Sequence, residues 1–222
     1  MLVDGIILYL CFLISASFHE CAHAWMAQRC GDDTAKLLGR LTLNPLAHID
    51  MLGTVILPGL MIFLPLLGGS QAAALSGFII GWARPVPVNP NNFRSYRRDD
   101  NLVSLAGPVS NLLLGFAILV VVRLMFFLPI GNDSFLAQFI DVLMKLTIIN
   151  ILLAWFNLIP IPPLDGSHLM KNFTNMRWET YIWLSRYGII ILILALNFTP
   201  LQHILRKLIS YTFMGMAYLL GF

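Results

Sequence analysis

The chain is short of charge: Asp, Glu, Lys and Arg make up 11% of its 222 residues, against 58% hydrophobic residues and a mean hydropathy of +0.79. So few charges cannot clothe a domain of this length in water, which excludes an ordinary soluble protein and leaves an integral membrane protein. The net charge of +3 is small and scattered, and no basic stripe with interleaved aromatics is present, so nucleic acid is excluded as a partner. Cysteine is scarce as well. Cys11, Cys21 and Cys30 form no Cys-x-x-Cys pair, which excludes a disulfide framework and a cysteine zinc site. The first residues lack both a basic region and a small-residue cleavage site, so the first apolar run is expected to stay in place as a helix.

What the chain has in abundance is long apolar runs, and about 20 such residues cross a bilayer. Residues 5–27 make a first span, followed by the polar loop 28–50, "QRCGDDTAKLLGRLTLNPLAHID". Residues 52–67 and 71–82 are apolar but short, interrupted by Pro58, Pro65 and the Gly-Gly-Ser at 68–70; a shallow hairpin or re-entrant pair is expected there. The stretch "RPVPVNPNNFRSYRRDDN", 84–101, carries Pro85, Pro87 and Pro90 in extended alternation, which predicts a strand-like loop at the membrane surface. Residues 102–122, 142–162 and 181–198 read as further spans, with a polar turn at "PIGNDS" between the first two of these. The final 203–222, opening "HILRKL", fits either a span or an interfacial helix. The expectation is an all-α polytopic membrane protein of about five to six membrane segments with one small extended, β-like loop. It reads as a single membrane-embedded domain over 1–222, with a core of about 5–170 and accessory C-terminal helices over 178–222. Nine Lys and Arg residues fall in 28–50, 84–101 and 163–180, against four on the opposite side, with Arg186 inside a span. The positive-inside bias therefore places those three loops in the cytoplasm.

Within the first span stands "LISASFHECAHAW", residues 13–25. Ionisable groups in a membrane helix cost at least a few kcal/mol, so they are functional candidates by default. His19 and His23 are four residues apart, a spacing at which both imidazoles reach one metal ion from one helix face, and Glu20 is placed to accept a proton from a water on that metal. The composition predicts roughly 0.001 chance occurrences of His-Glu-x-x-His. A histidine pair buried against polar partners is the plainer alternative. A catalytic zinc takes three protein ligands and keeps one position open, so a third ligand is required. Of the carboxylates outside charged loops and on the cytoplasmic side, Asp50 and Asp165 remain. Asp165 lies in "FNLIPIPPLDGSHL", where a span breaks at Pro160, Pro162 and Pro163 and frees backbone groups that only a polar cavity can satisfy. His19 and Asp165 both belong to the cytoplasmic ends of spans that run outside to inside, which favours Asp165.

His-Glu-x-x-His in a first membrane helix, "AGPVSN" (Ala106 to Asn111) opening a later one and "FNLIPIPPLDG" ending the next resemble the site-2 protease family of intramembrane zinc metalloproteases. "NPLAHIDMLGT" and "GWARPVPVNP" are similar to its compact bacterial branch, without PDZ-like or nucleotide-binding domains; the likeness runs from 15 to 170. The resemblance implies hydrolysis of peptide bonds in or near transmembrane segments of a membrane-protein or membrane-peptide substrate in the lipid bilayer, with one Zn2+ per chain. It implies His19, His23 and Asp165 as ligands, Glu20 as general base, and Asn157, eight residues before the aspartate, as the transition-state-stabilising residue. His48 reads as capping the hairpin and His168 as facing the site or the headgroups; neither is given a role. The alternative function is a non-catalytic metal-binding or metal-transporting membrane protein, for which Glu20 would have no use.

Overall fold

The computed structural model of the chain describes residues 2–60, 83–127 and 135–222. Among them it is all α-helical, with no strand: α1 (Leu2–Cys30), the short α2 (Thr34–Leu37), α3 (Tyr96–Met125), α4 (Phe135–Asn157), α5 (Gly166–Phe173), α6 (Trp178–Phe198) and α7 (Leu201–Leu220). Single turns at Pro45–His48 and Pro90–Asn92 and a wide helical stretch at Met51–Ile56 fill the connections. By length and composition, α1, α3, α4 and α6 are each able to cross a bilayer. The protein is a multi-pass membrane protein.

The helices form where the apolar runs are, but their ends are set by local chemistry. α1 carries Asp4 in its first turn and Arg29 in its last, each complementing the helix dipole. It stops at Gly31, whose φ of +108° suits glycine. α3 starts at Tyr96, six residues before the expected 102, and so takes in residues expected to belong to the strand-like loop. The proline alternation ends at Pro90, and the Asp99 carboxylate accepts the Ser95 amide at 2.7 Å, satisfying a donor at the helix start. Residues 83–89 stay outside any helix, with Asn89 extended, and pair with no strand among the described residues. α4 stops at Asn157 rather than 162 because Pro160 offers no amide and disfavours helical geometry in the residue before it. Of the expected hairpin, 61–82 lie outside the described residues, as does the turn at 129–134. The described part, Met51–Leu60, is helical; Asp50 caps it by accepting the amides of Leu52 (3.0 Å) and Gly53 (2.8 Å).

α3 is central, packed along α1 and α4, with α7 against α4. The seam between α1, α3 and α4 is polar and fully buried: the Asn111 amide donates to the Ser15 carbonyl (3.0 Å) and to Asn150 Oδ1 (2.8 Å), and the Asn150 amide donates to Ser15 Oγ (2.8 Å). In a medium without water each of these groups needs a protein partner, so the network admits one register of the three helices. Arg123 Nε donates to the Leu220 carbonyl at 2.9 Å, which sets the end of α7 beside the end of α3.

Two buried carboxylates tie the loops to this frame. Asp32 accepts the Asn89 amide and the Asn92 side chain, both at 2.7 Å, anchoring the extended 83–89 segment. Asp100, near the start of α3, accepts from His168 Nδ1 (3.1 Å), Lys171 Nζ (3.0 Å) and Asn172 Nδ2 (2.7 Å), locking α5 onto α3. This places His168 in a structural tie to Asp100. Burial works against the Lys171 charge, but the Asp100 hydrogen bond and charge outweigh it and raise its pKa. Asp100→Ala strands this buried ammonium and should cost about 3 kcal/mol or more. A thermal midpoint lowered by about 6 °C or more is expected, whereas exposed Asp33→Ala should hardly move it. Equal midpoints for the two variants would mean the tie is energetically idle.

Candidate functional site

His19 and His23 project from one face of α1 with ring centroids 4.6 Å apart. Their outer nitrogens are both committed. His23 Nδ1 donates to the Val103 carbonyl at 2.7 Å. His19 Nδ1 lies 2.6 Å from Asn111 Oδ1, and because the Asn111 amide nitrogen already donates to Ser15 and Asn150, that oxygen is an acceptor and Nδ1 carries the proton. Neutral imidazoles held this way present Nε2 lone pairs. The two Nε2 atoms are 3.0 Å apart, and Asp165 Oδ2 is 3.0 Å from one and 3.3 Å from the other. Three such donor atoms converging so closely need a cation or a shared proton among them. A tetrahedral zinc shell with bonds of about 2.0–2.1 Å has edges of about 3.3–3.4 Å, close to these separations, so the donor set fits a zinc ion. Among the described residues these three side chains form one cluster able to hold a metal.

Asp165 reaches the histidines across 146 positions of sequence. The turn that carries it follows the proline break after α4. Gly166 makes it possible: a Cβ there would run into the Leu158 carbonyl.

Glu20 stands apart from the ligand cluster. Its Oε2 accepts the Val86 amide of the extended segment at 2.9 Å. Asn157, in the last turn of α4, donates to the Leu153 carbonyl of its own helix at 3.0 Å and makes no bond to the histidines, Asp165 or Glu20. Asp50 is occupied in capping Met51–Ile56. His48 is buried, with Nε2 2.9 Å from the Thr42 carbonyl, and its own carbonyl accepts the Arg84 amide at 2.8 Å; it braces the loop rather than joining the cluster.

Two further residues belong to the site. Asn111 fixes the His19 ring, and Gly107 makes room for the donors: a Cβ at 107 would lie 2.5 Å from His23 Nε2 and 2.6 Å from His19 Nε2. Both belong to "AGPVSN", and their spacing of four puts them on one face of α3. An asparagine within a membrane span was the available signal for Asn111, since polar groups there are functional candidates.

Membrane helices closing around a His-Glu-x-x-His pair and a carboxylate define an intramembrane zinc metalloprotease. Residues 127–195 match peptidase family M50. YwhC of Bacillus subtilis (strain 168), named as a zinc metalloprotease, is 39% identical over 173 residues, 74% of this chain and 68% of that protein. Two proteins named Rip2, also as zinc metalloproteases, are similar: that of Mycolicibacterium smegmatis is 29% identical over 189 residues, 85% of this chain and 65% of its own length. That of Mycobacterium tuberculosis (H37Rv) is 32% identical over 169 residues, 76% of this chain and 57% of its own length. No solved structure matches the chain. The chain belongs to peptidase family M50, the site-2 proteases.

Gly107→Ala should abolish zinc retention, because its methyl group takes the place where the donors converge. Asn111→Ala should weaken it about 10- to 100-fold by freeing the His19 ring. Zinc titration of the metal-free proteins in detergent measures both; wild-type affinity in Gly107→Ala would overturn the assigned geometry.

Proposed function

We propose that this protein hydrolyses peptide bonds in or near transmembrane segments of client membrane proteins, using one zinc ion per chain held by His19, His23 and Asp165. The observation that carries the ligand assignment is the convergence of the three donor atoms while both Nδ1 protons are tied elsewhere. When bound, zinc polarises the scissile carbonyl and makes water a nucleophile near neutral pH. Glu20, one residue from His19 yet outside the donor set, takes the proton of the attacking water on its carboxylate. It then delivers that proton to the departing amide nitrogen. The Val86 amide holds one Glu20 oxygen and so orients the carboxylate for the transfer. Asn157 is proposed to donate its amide to the developing oxyanion, for which it must release the Leu153 carbonyl.

A helical client has its carbonyls occupied and must be extended before attack. The 83–89 segment is the proposed pairing edge. The amides of Arg84, Val86 and Asn89 already serve His48, Glu20 and Asp32, and Pro85 and Pro87 have none, so this edge offers a client chiefly carbonyl acceptors. The charge bias of the loops supports a site that faces the cytoplasm, with the protein in the plasma membrane. A metal carrier would have no use for Glu20.

Glu20→Gln should abolish cleavage of a reconstituted membrane client while about one zinc per chain remains, since the residue is a base and not a ligand. Asp165→Ala should lose the zinc, and Asp50→Ala should keep it. Metal content by mass spectrometry, read beside cleavage, separates these outcomes: zinc lost with Glu20→Gln, or kept with Asp165→Ala, makes the ligand assignment wrong. Asn157→Ala should reduce turnover by about 10² to 10³ with client binding little changed; an effect on affinity alone would assign it to packing.

A further inference from the structure

α6 has the length and apolarity of a crossing helix, yet both of its ends lie at one end of the bundle. Its first turn stands on α5, where the rings of Trp178 and Tyr181 lie 5.7 and 5.2 Å from the Lys171 ammonium. Lys171 is itself bound to Asp100, close to where α3 begins. The other end of α6 passes through Thr199 and Pro200 straight into α7. α7 finishes at the opposite end of the bundle, with Leu220 on Arg123 and the Phe126 and Phe222 rings 5.7 Å apart. Its 20 residues reach about 30 Å, so Leu201 lies back toward the start of α3. There Leu201 and Leu205 pack with Ile159 and Leu164, just beyond the end of α4. A helix of 21 residues, about 32 Å long, whose two ends share one end of the bundle cannot run parallel to the spans.

We infer that α6 does not cross the membrane but lies in the plane of the interface on the site side, strapped across the loop that carries Asp165, with the lipid of that leaflet covering its apolar flanks. One narrow stripe of the helix faces protein. Tyr181 Oη is 3.1 Å from Ser167 Oγ, Gly188 lies so close to the Pro162 carbonyl that a Cβ would collide with it, and Leu192 and Leu196 pack on Ile159 and Leu164. Glu179, Arg186 and Asn197, at intervals of seven and eleven residues, share one line on the far side of the helix. The flanks between stripe and line are apolar and exposed, Trp183, Tyr187, Ile190 and Leu194 among them. A protein-facing stripe, a polar line opposite it and aromatic and aliphatic flanks suit a helix lying in the headgroup boundary.

Charge supports the same placement independently. Were α6 a span, Arg206 and Lys207 at the start of α7 would face the outside. With α6 in plane they join Arg186 on the site side, leaving only Arg123 and Lys145, of fourteen Lys and Arg, at the other end. The positive-inside bias becomes twelve to two. The placement replaces the span expected over 181–198, makes α7 the crossing helix, and stands whether or not the proposed ligands hold zinc.

Single cysteines at Asn175, Thr199 and Phe222, over the unchanged background of Cys11, Cys21 and Cys30, decide it in intact cells with membrane-impermeant and permeant maleimides. Positions 175 and 199 should label from the same side and 222 from the other. Labelling of 199 on the side opposite 175 would show that α6 crosses and overturn the inference. Spin labels at Trp183, Ile190 and Leu194, one exposed flank, then read depth in vesicles of phosphatidylglycerol and phosphatidylethanolamine. All three should lie about 5–10 Å into the boundary, whereas a crossing helix carries Ile190 to about 15 Å, near the bilayer centre. Labels shielded from both oxygen and a water-soluble relaxant would show a protein occupant, such as a second copy, and would overturn the lipid assignment.

Discussion

Everything in this fold answers to one constraint: two imidazole lone pairs and a carboxylate oxygen, from segments 146 residues apart, meet within 3.3 Å of one another. Such an arrangement needs a cation or a shared proton at its centre, so the protein spends structure on holding it. α3 contributes most. Its Val103 carbonyl and Asn111 side chain turn the two rings, and Gly107 keeps the space before them clear. The proline break after α4 swings Asp165 in, and the Asp100 tie to α5 keeps that turn from drifting.

The surroundings explain why so much of the support is hydrogen bonding. In water a free imidazole Nδ1–H would find a solvent partner, but between membrane helices it must find a protein one. The Ser15, Asn111 and Asn150 network therefore does two jobs, fixing the register of three spans and presenting one acceptor to His19. Coupling register to ring orientation means that a slip of one helix would disarm the site before it unfolded the protein.

The three proposed ligands, which converge in the fold, were legible in the sequence because their chemistry is local. His19 and His23 share a helix face by spacing alone, and Asp165 betrayed itself by sitting in a proline-broken span, where a polar group needs a reason. Less was legible wherever a residue's meaning depends on a distant partner. Asn111 is one polar letter in an apolar run until His19, 92 positions away, is placed beside it. The residues from Tyr96 to Asn101 read as loop because they are charged, yet they form the first turns of α3, where Asp100 is buried by α5. The composition of α6 is that of a span. What sets its direction is the position of its neighbours, with Lys171 at one end and α7 at the other, which no window of its own residues records.

Gly107 has a stereochemical consequence. Because it brings the α3 main chain flush against both imidazoles, one whole side of the donor set is walled by backbone, which no rotamer change can open. A reacting carbonyl, or a chelating inhibitor designed against this site, can come only from the sides that α3 leaves free.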